Sequence, residues 1–343
     1  PQVLSAIQLG LLYGLLAMGL YIPFRILSIP DMTVQGSFTL GMIVAAVFTY
    51  AGQPLLGILV SIIAGAIAGL ITGVLHTKFK IASILSGILT MTALYTVNLL
   101  IAAGKANISL IGKETIYTRV DSVFNNDQLT RTLVTFVIVA VVATLVAIFF
   151  HTRTGLTIRA TGDNSAMVRH TSINTDNMIM IGLALGNAMT ALSGALVSHY
   201  NLFADVNSGT GILVVALAAI IIGETIFKRN GVTKGLISTV IGSIIYRFIF
   251  AIALKFDVLP SYSLNLISTL IVILALMFPT LQVLNERRRK KKLHKHLADA
   301  WLADEDEEIK PNQKEIDAER ARAQEESIIS NGDRIIKEVS KDE

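Results

Sequence analysis

The sequence predicts an all-α membrane protein: a polytopic helical bundle of about 8–10 transmembrane segments with inverted repeats and discontinuous helices. Three observations carry this. The 343 residues are 52% hydrophobic and only 16% charged, and the mean hydropathy is +0.62, outside the range of ordinary soluble domains. Apolar runs of membrane-crossing length recur, separated by short polar breaks. Charge is concentrated at one end: residues 285–343 hold 14 of the 29 Lys/Arg and 16 of the 25 Asp/Glu. The chain therefore reads as a membrane domain over 1–284 and a charged cytoplasmic tail over 285–343.

A bilayer core of about 30 Å needs roughly 20 apolar residues per helix. Nine runs qualify or nearly so: 3–24, 32–50, 55–75, 84–103, 133–150, 178–200, 212–227, 236–254 and 264–278. The first has no basic residue before it and no small-residue cleavage pattern, so it reads as a retained span. HTKFK (76–80), the segment with Arg153, Arg159 and Arg169, KRNGVTK (228–234) and RRRKKK (287–292) are expected on the cytoplasmic side. Alternation then puts the loops 104–130, 201–211 and 255–263 outside, with the N-terminus outside and the C-terminus inside. The expected location is the cell's inner (cytoplasmic) membrane, crossed many times.

GSFTLGMIVAAVFTY (36–50) and GTGILVVALAAIIIG (209–223) both open on small residues and carry Ala-Ala at the same offset. Each follows a polar break, IPDMTVQ and ADVNS, and the two run in opposite directions, as in inverted-repeat transporters. Close packing through Gly, Ala and Ser in any two membrane helices gives a similar pattern.

Enzyme signatures are missing. The sequence has no cysteine and no phosphate-loop, H-E-x-x-H or G-x-S-x-G pattern. The six histidines have no metal-ligand spacing. The basic residues mark topology rather than a nucleic-acid stripe, so no nucleic-acid partner is expected. RRRKKKLHKH reads as an anchor to anionic lipid, and the Ala/Glu/Arg-rich tail as a solvated, partly helical extension.

Polar groups inside the spans are costly and mark candidate pathway residues. Asp31 and Gln35 stand in the first break, Asn207 and Ser208 in the second, and Arg247 well inside the eighth run. Asp31 is a possible partner for Arg247, and Glu224 for Lys228 one helical turn on. His199 reads as a satisfied interfacial residue. An alternative reading is an ion-coupled secondary transporter using Asp31 and Arg247.

The sharpest signal is TIRATGDNSAMVRHTSINTDN (157–177), a polar interruption between two apolar runs. Gly162 can end one turn, and Asp163 or Asn164 can cap a short helix through Ala166–His170. Ser172-Ile173-Asn174 makes the exit turn. Met167, Val168 and Ile173 are available for docking.

This segment resembles the permeases of ABC importers of the branched-chain amino acid, ribose and simple-sugar type. Thr154-Gly155, Ile158 to Asn164, Ala166, Arg169, Ser172-Ile173-Asn174 and the following LALGNAMTALSGALV carry the likeness, with LSIPDMTVQGSFTLG and GTGILVVALAAIIIG as two discontinuous helices. The resemblance implies a second permease chain (a homodimer), two ABC ATPase subunits holding ATP and Mg, and an extracytoplasmic substrate-binding lipoprotein. No cofactor would be bound by this chain. Arg159, Gly162, Asp163, Asn164, Met167 and Arg169 would form the loop that couples to the ATPase. Ser172 replaces the family's usual Gly, Glu224 a second Gly, and Arg247 is not general. Together these suggest a subgroup paired with lipoprotein receptors and linked to aromatic amino acids.

Overall fold

The computed structural model describes residues 2–124, 128–227 and 231–255, single positions beyond these, and an exposed helix over 315–327. The chain divides into two units, Pro1–Phe278 and Pro279–Glu343. The first unit contains α1 (Gln2–Tyr21), a π-turn (Ile22–Ile26), α2 (Thr33–Tyr50), α3 (Pro54–Thr77), α4 (Ser83–Ile101), β1 (Asn107–Ser109), α5 (Ile116–Phe124) and α6 (Gln128–His151). It continues with α7 (Arg153–Asp163), α8 (Ser165–His170), α9 (Thr175–Asn201), β2 (Phe203–Asp205), α10 (Ile212–Ile226) and α11 (Val232–Lys255).

Among the described residues, seven helices are long and apolar enough to cross a membrane. With α10 they account for eight of the nine runs. The ninth, 264–278, lies outside the described residues apart from single positions. α10 has 15 residues, so it reaches only about 22 Å at the helical rise.

Contacts between loops fix which of them share an end of the bundle. β1 pairs antiparallel with β2, Ile108 opposite Ala204, so the loops around 104–115 and 202–211 meet at one end. At the other end Lys80 lies 3.7 Å from Asp176, joining the α3–α4 loop to the start of α9. Gly162 of α7 sits against the carbonyl of Ile26, so the end of the first span is there too. The basic loops 76–80 and 153–176 thus share one end, as the charge pattern requires.

α9 is the centre of the bundle, buried almost continuously from Gly186 to His199. Its small residues let neighbouring backbones touch. A Cβ on Gly41 of α2 would overlap the Ala191 carbonyl, and one on Gly65 of α3 would overlap the Ala191 side chain and the Asn187 carbonyl. In lipid, where apolar burial barely drives association, this close fit is the main attraction between helices.

The first polar break is a distinct structure. Pro23 cannot donate to the helical ladder. The helix widens into the π-turn there, with Leu27 N–H bonding Ile22 O at 3.0 Å. Such turns often mark functional positions. Ser28 then takes a positive φ of 57°, and α2 restarts at Thr33. Gly209, from the second break, packs against Gln35 O and Thr39 Oγ1. Those residues lie 11–15 positions before the end of α2, about 16–22 Å below it. The two breaks therefore meet inside the bundle, which accounts for the shortness of α10.

Candidate functional site

The loop 152–175 is built by caps. Thr152 accepts from Gly155 N–H at 3.3 Å to start α7, and Asn164 accepts from Met167 N–H at 3.0 Å to start α8. Asn174 accepts from the Asp176 and Asn177 N–H groups, at 3.0 and 3.3 Å, to start α9. Asn164, not Asp163, is the cap. The segment before it is a full helix of 11 residues. Gly162 lies in the last turn of α7 rather than ending an earlier one, and its role is the close approach to Ile26.

The loop presents two different faces. Met167 is 61% and Ile173 37% exposed, whereas Val168 is buried at 3%. Val168 therefore packs inward and is not available for docking. Arg169 is held within the loop, its Nε donating to Thr175 Oγ1 at 2.8 Å and Nη2 to Asp176 Oδ1 at 3.4 Å. Arg159 and Asp163 turn the other way. With Tyr21, Arg25, Ile26, Gly231 and Val232 they line a cavity of about 180 Å³.

Arg25, which sequence reasoning passed over, makes an ion pair with Glu224. Glu224 thus has a tertiary partner 199 residues away; the expected Glu224–Lys228 pair is not tested. Lys228 lies outside the described residues. Among the described residues Arg25 Nε and Glu224 Oε1 are buried without a partner, and a bond from Arg25 Nη2 to Glu224 Oε2 joins the two groups.

Asp31 is 3% exposed, and both its oxygens are engaged. Oδ1 accepts from Thr33 N–H at 2.9 Å and Oδ2 from Asn187 Nδ2 at 2.7 Å. Asn187 Oδ1 accepts in turn from Ser37 Oγ at 2.7 Å, and Thr33 Oγ1 bonds Thr72 Oγ1 at 2.7 Å. The carboxylate thus stands at the positive N-terminus of α2, in a polar network tying α2, α3 and α9. Asn187 was legible as a lone amide inside LALGNAMTALSGALV.

Asp31 and Arg247 are not brought together: among the described residues no ion pair joins them. Arg247 lies over the Tyr13 ring, 3.6 Å from its centroid, with Phe250 at 5.8 Å. Gln35 is half-buried and Asn207 exposed. Asn207 N–H bonds Asp205 Oδ1 at 2.7 Å, and Ser208 immediately precedes the Gly209 that meets Gln35. His199 is buried, with Nε2 2.8 Å from Thr49 Oγ1.

The comparisons agree with this architecture. The chain matches the family described as branched-chain amino acid transport system, permease component, over residues 2–278. It is 36% identical over 272 residues to a tyrosine transport system permease protein of Clostridioides difficile (strain R20291), covering 79% of this chain and 89% of that one. An uncharacterised protein of Rickettsia prowazekii (strain Madrid E) is 32% identical over 281 residues, covering 80% and 96%. An autoinducer 2 import system permease protein of Yersinia pestis (strain Pestoides F) is 23% identical over 287 residues, covering 83% and 78%. No solved structure matches the chain. With a polytopic helical bundle, two broken segments meeting inside it and a family match across the whole membrane unit, this chain belongs to the branched-chain amino acid transport system permease family.

Proposed function

We propose that the chain is the transmembrane permease subunit of an ATP-driven ABC importer for a small solute, with amino acids the favoured class. ATP and Mg would be held by separate ABC ATPase subunits, and solute would be delivered by an extracytoplasmic substrate-binding lipoprotein. A second permease chain, identical in the simplest case, would complete the path. The C-terminus would face the cytoplasm.

The observation that carries this reading is the pair of helices α7 and α8. Met167 and Ile173 are apolar yet exposed at the end where the basic loops gather, a suitable surface for a protein partner. Inward of them, Gly162 leaves no gap to the backbone of Ile26. A push received at Met167 would pass as a rigid-body shift into the first span and its π-turn. The tyrosine permease relative favours amino acids as the solute class. No observation favours an ion-coupled transporter, since its two proposed coupling charges do not face each other.

The test is a mild-detergent purification of the tagged full chain from its host, with Met167→Asp alongside. Wild type is expected to bring down a phosphate-loop ATPase and a lipoprotein receptor, and the variant to lose the ATPase while keeping its helical content. Uptake that collapses with an uncoupler at constant ATP would sink the proposal.

A further inference from the structure

We propose that Arg247 is the group that engages the carboxylate of the transported solute, a zwitterionic amino acid, as it passes through the permease. This rests on the importer reading above and adds a recognition point inside the membrane domain.

Arg247 stands 15 residues after Val232 and 8 before Lys255 in α11, about 12 Å from the nearer end of the helix. A cation at such depth is expensive and needs a partner. The other arginines in described spans have one: Arg25 pairs with Glu224 and Arg131 with Asp121. Residues 1–284 contain nine acidic side chains. Asp31, Glu114, Asp176 and Asp205 bond elsewhere as well, and Asp163 lines the loop cavity. Asp127 and Asp257 lie outside the described residues. Arg247 is therefore a membrane cation to which the described fold supplies no carboxylate.

What the fold supplies instead is an aromatic wall. The guanidinium lies 3.6 Å from the Tyr13 centroid, and Tyr13 stacks on Phe38, centroids 6.0 Å apart. Stacking occupies a face of the guanidinium, but its N–H donors point outward in its plane. Nε has no partner among the described residues although it is shielded from water. The two terminal nitrogens, which are not shielded in this way, form a fork that can hold a carboxylate end-on by two charge-assisted bonds. Tyr13, Arg247 and Phe250 are each half-buried, so the described fold leaves part of the cluster uncovered. Phe38 lies between Gln35 and Thr39, where Gly209 brings the second break against the first. Through Tyr13 and Phe38 the cluster thus reaches α2, the helix against which the second break packs.

The test uses vesicles reconstituted with the full permease and its co-purified ATPase and receptor, with ATP enclosed and labelled L-tyrosine, L-leucine or D-ribose supplied outside. Wild type is expected to move an amino acid with ATP. Arg247→Gln should reduce that uptake at least roughly tenfold, the order expected for losing a charge-assisted pair, with receptor-stimulated ATP hydrolysis and melting temperature unchanged. Arg247→Lys should fall between. Full uptake by Arg247→Gln, uptake of ribose alone, or a parallel loss of melting temperature and ATPase activity would each overturn the inference; the last would make Arg247 a packing anchor on Tyr13. Failure of the importer reading has a separate signature: wild-type vesicles that move none of the three solutes with ATP.

Discussion

Arg25, on the π-turn that ends the first span, is bonded to Glu224, two residues before the end of α10. The pair closes the bundle at the end that carries α7 and α8, beside a cavity edged by Arg159 and Asp163. Because Arg25 Nε and Glu224 Oε1 have no partner among the described residues, either charge has room to change partner without breaking a complete network. Arg25→Gln or Glu224→Gln is expected to cost about 1–3 kcal/mol by stranding the remaining charge. The double variant should cost less than the two single losses added together. Thermal melting of the solubilised chain across this cycle measures the coupling, and strict additivity would show that the pair holds nothing.

Gly162 has the opposite kind of contact, with no slack at all. A Cβ there would overlap the Ile26 carbonyl and approach Leu27 Cα to 2.9 Å. Gly162→Ala is expected to cost about 1–3 kcal/mol through overpacking and to lift α7 off the first span. Met167 and Ile173 would be untouched, so the ATPase should still co-purify while ATP-dependent uptake falls. Normal uptake in Gly162→Ala would remove α7 from the route by which motion enters the bundle.

Asp31 belongs to a clasp between helices rather than to an open charge pair. In Asp31→Ala, Thr33 N–H and Asn187 Nδ2 both lose a buried acceptor, a loss of about 2–5 kcal/mol. Asp31→Asn is expected to be milder. It keeps an oxygen for Thr33 N–H, and a flipped Asn187 amide can donate to the Ser37 hydroxyl instead. Denaturation in detergent should rank wild type, Asn and Ala in that order. An Ala variant as stable as wild type would show that the network does not hold α2 to α9.

The spans, their order and the polar loop with its capped short helix were legible because each depends on local signals: run length, basic loops, and Asn before a helical turn. What was not legible is tertiary. Nothing near Glu224 in the chain indicates Arg25, and a helical i,i+4 neighbour was the natural local guess. Arg25 itself reads as one more basic residue at a span end. Val168 was read as outward-facing because a six-residue helix is too short to show which face it buries. The breaks were visible as polar interruptions, but only the fold shows Gly209 seated on Gln35.

Ser172 tests the local reading most directly, since it stands where the family resemblance leads one to expect Gly. Its φ is +62°, a left-handed conformation costing an L-residue about 1–2 kcal/mol relative to right-handed backbone. Gly avoids that strain but gives back about 0.5–1 kcal/mol in unfolded-chain entropy. Ser172→Gly is therefore expected to be neutral to slightly stabilising, by up to about 1 kcal/mol. Ser172→Val should be clearly worse than Ser, because a β-branched residue at positive φ is a genuine outlier. Its N–H bond to Arg169 O, 3.2 Å, is a backbone bond that all three residues can make, so differences in melting temperature report backbone strain. If Gly melted well below Ser, the turn would depend on the serine hydroxyl rather than on left-handed backbone.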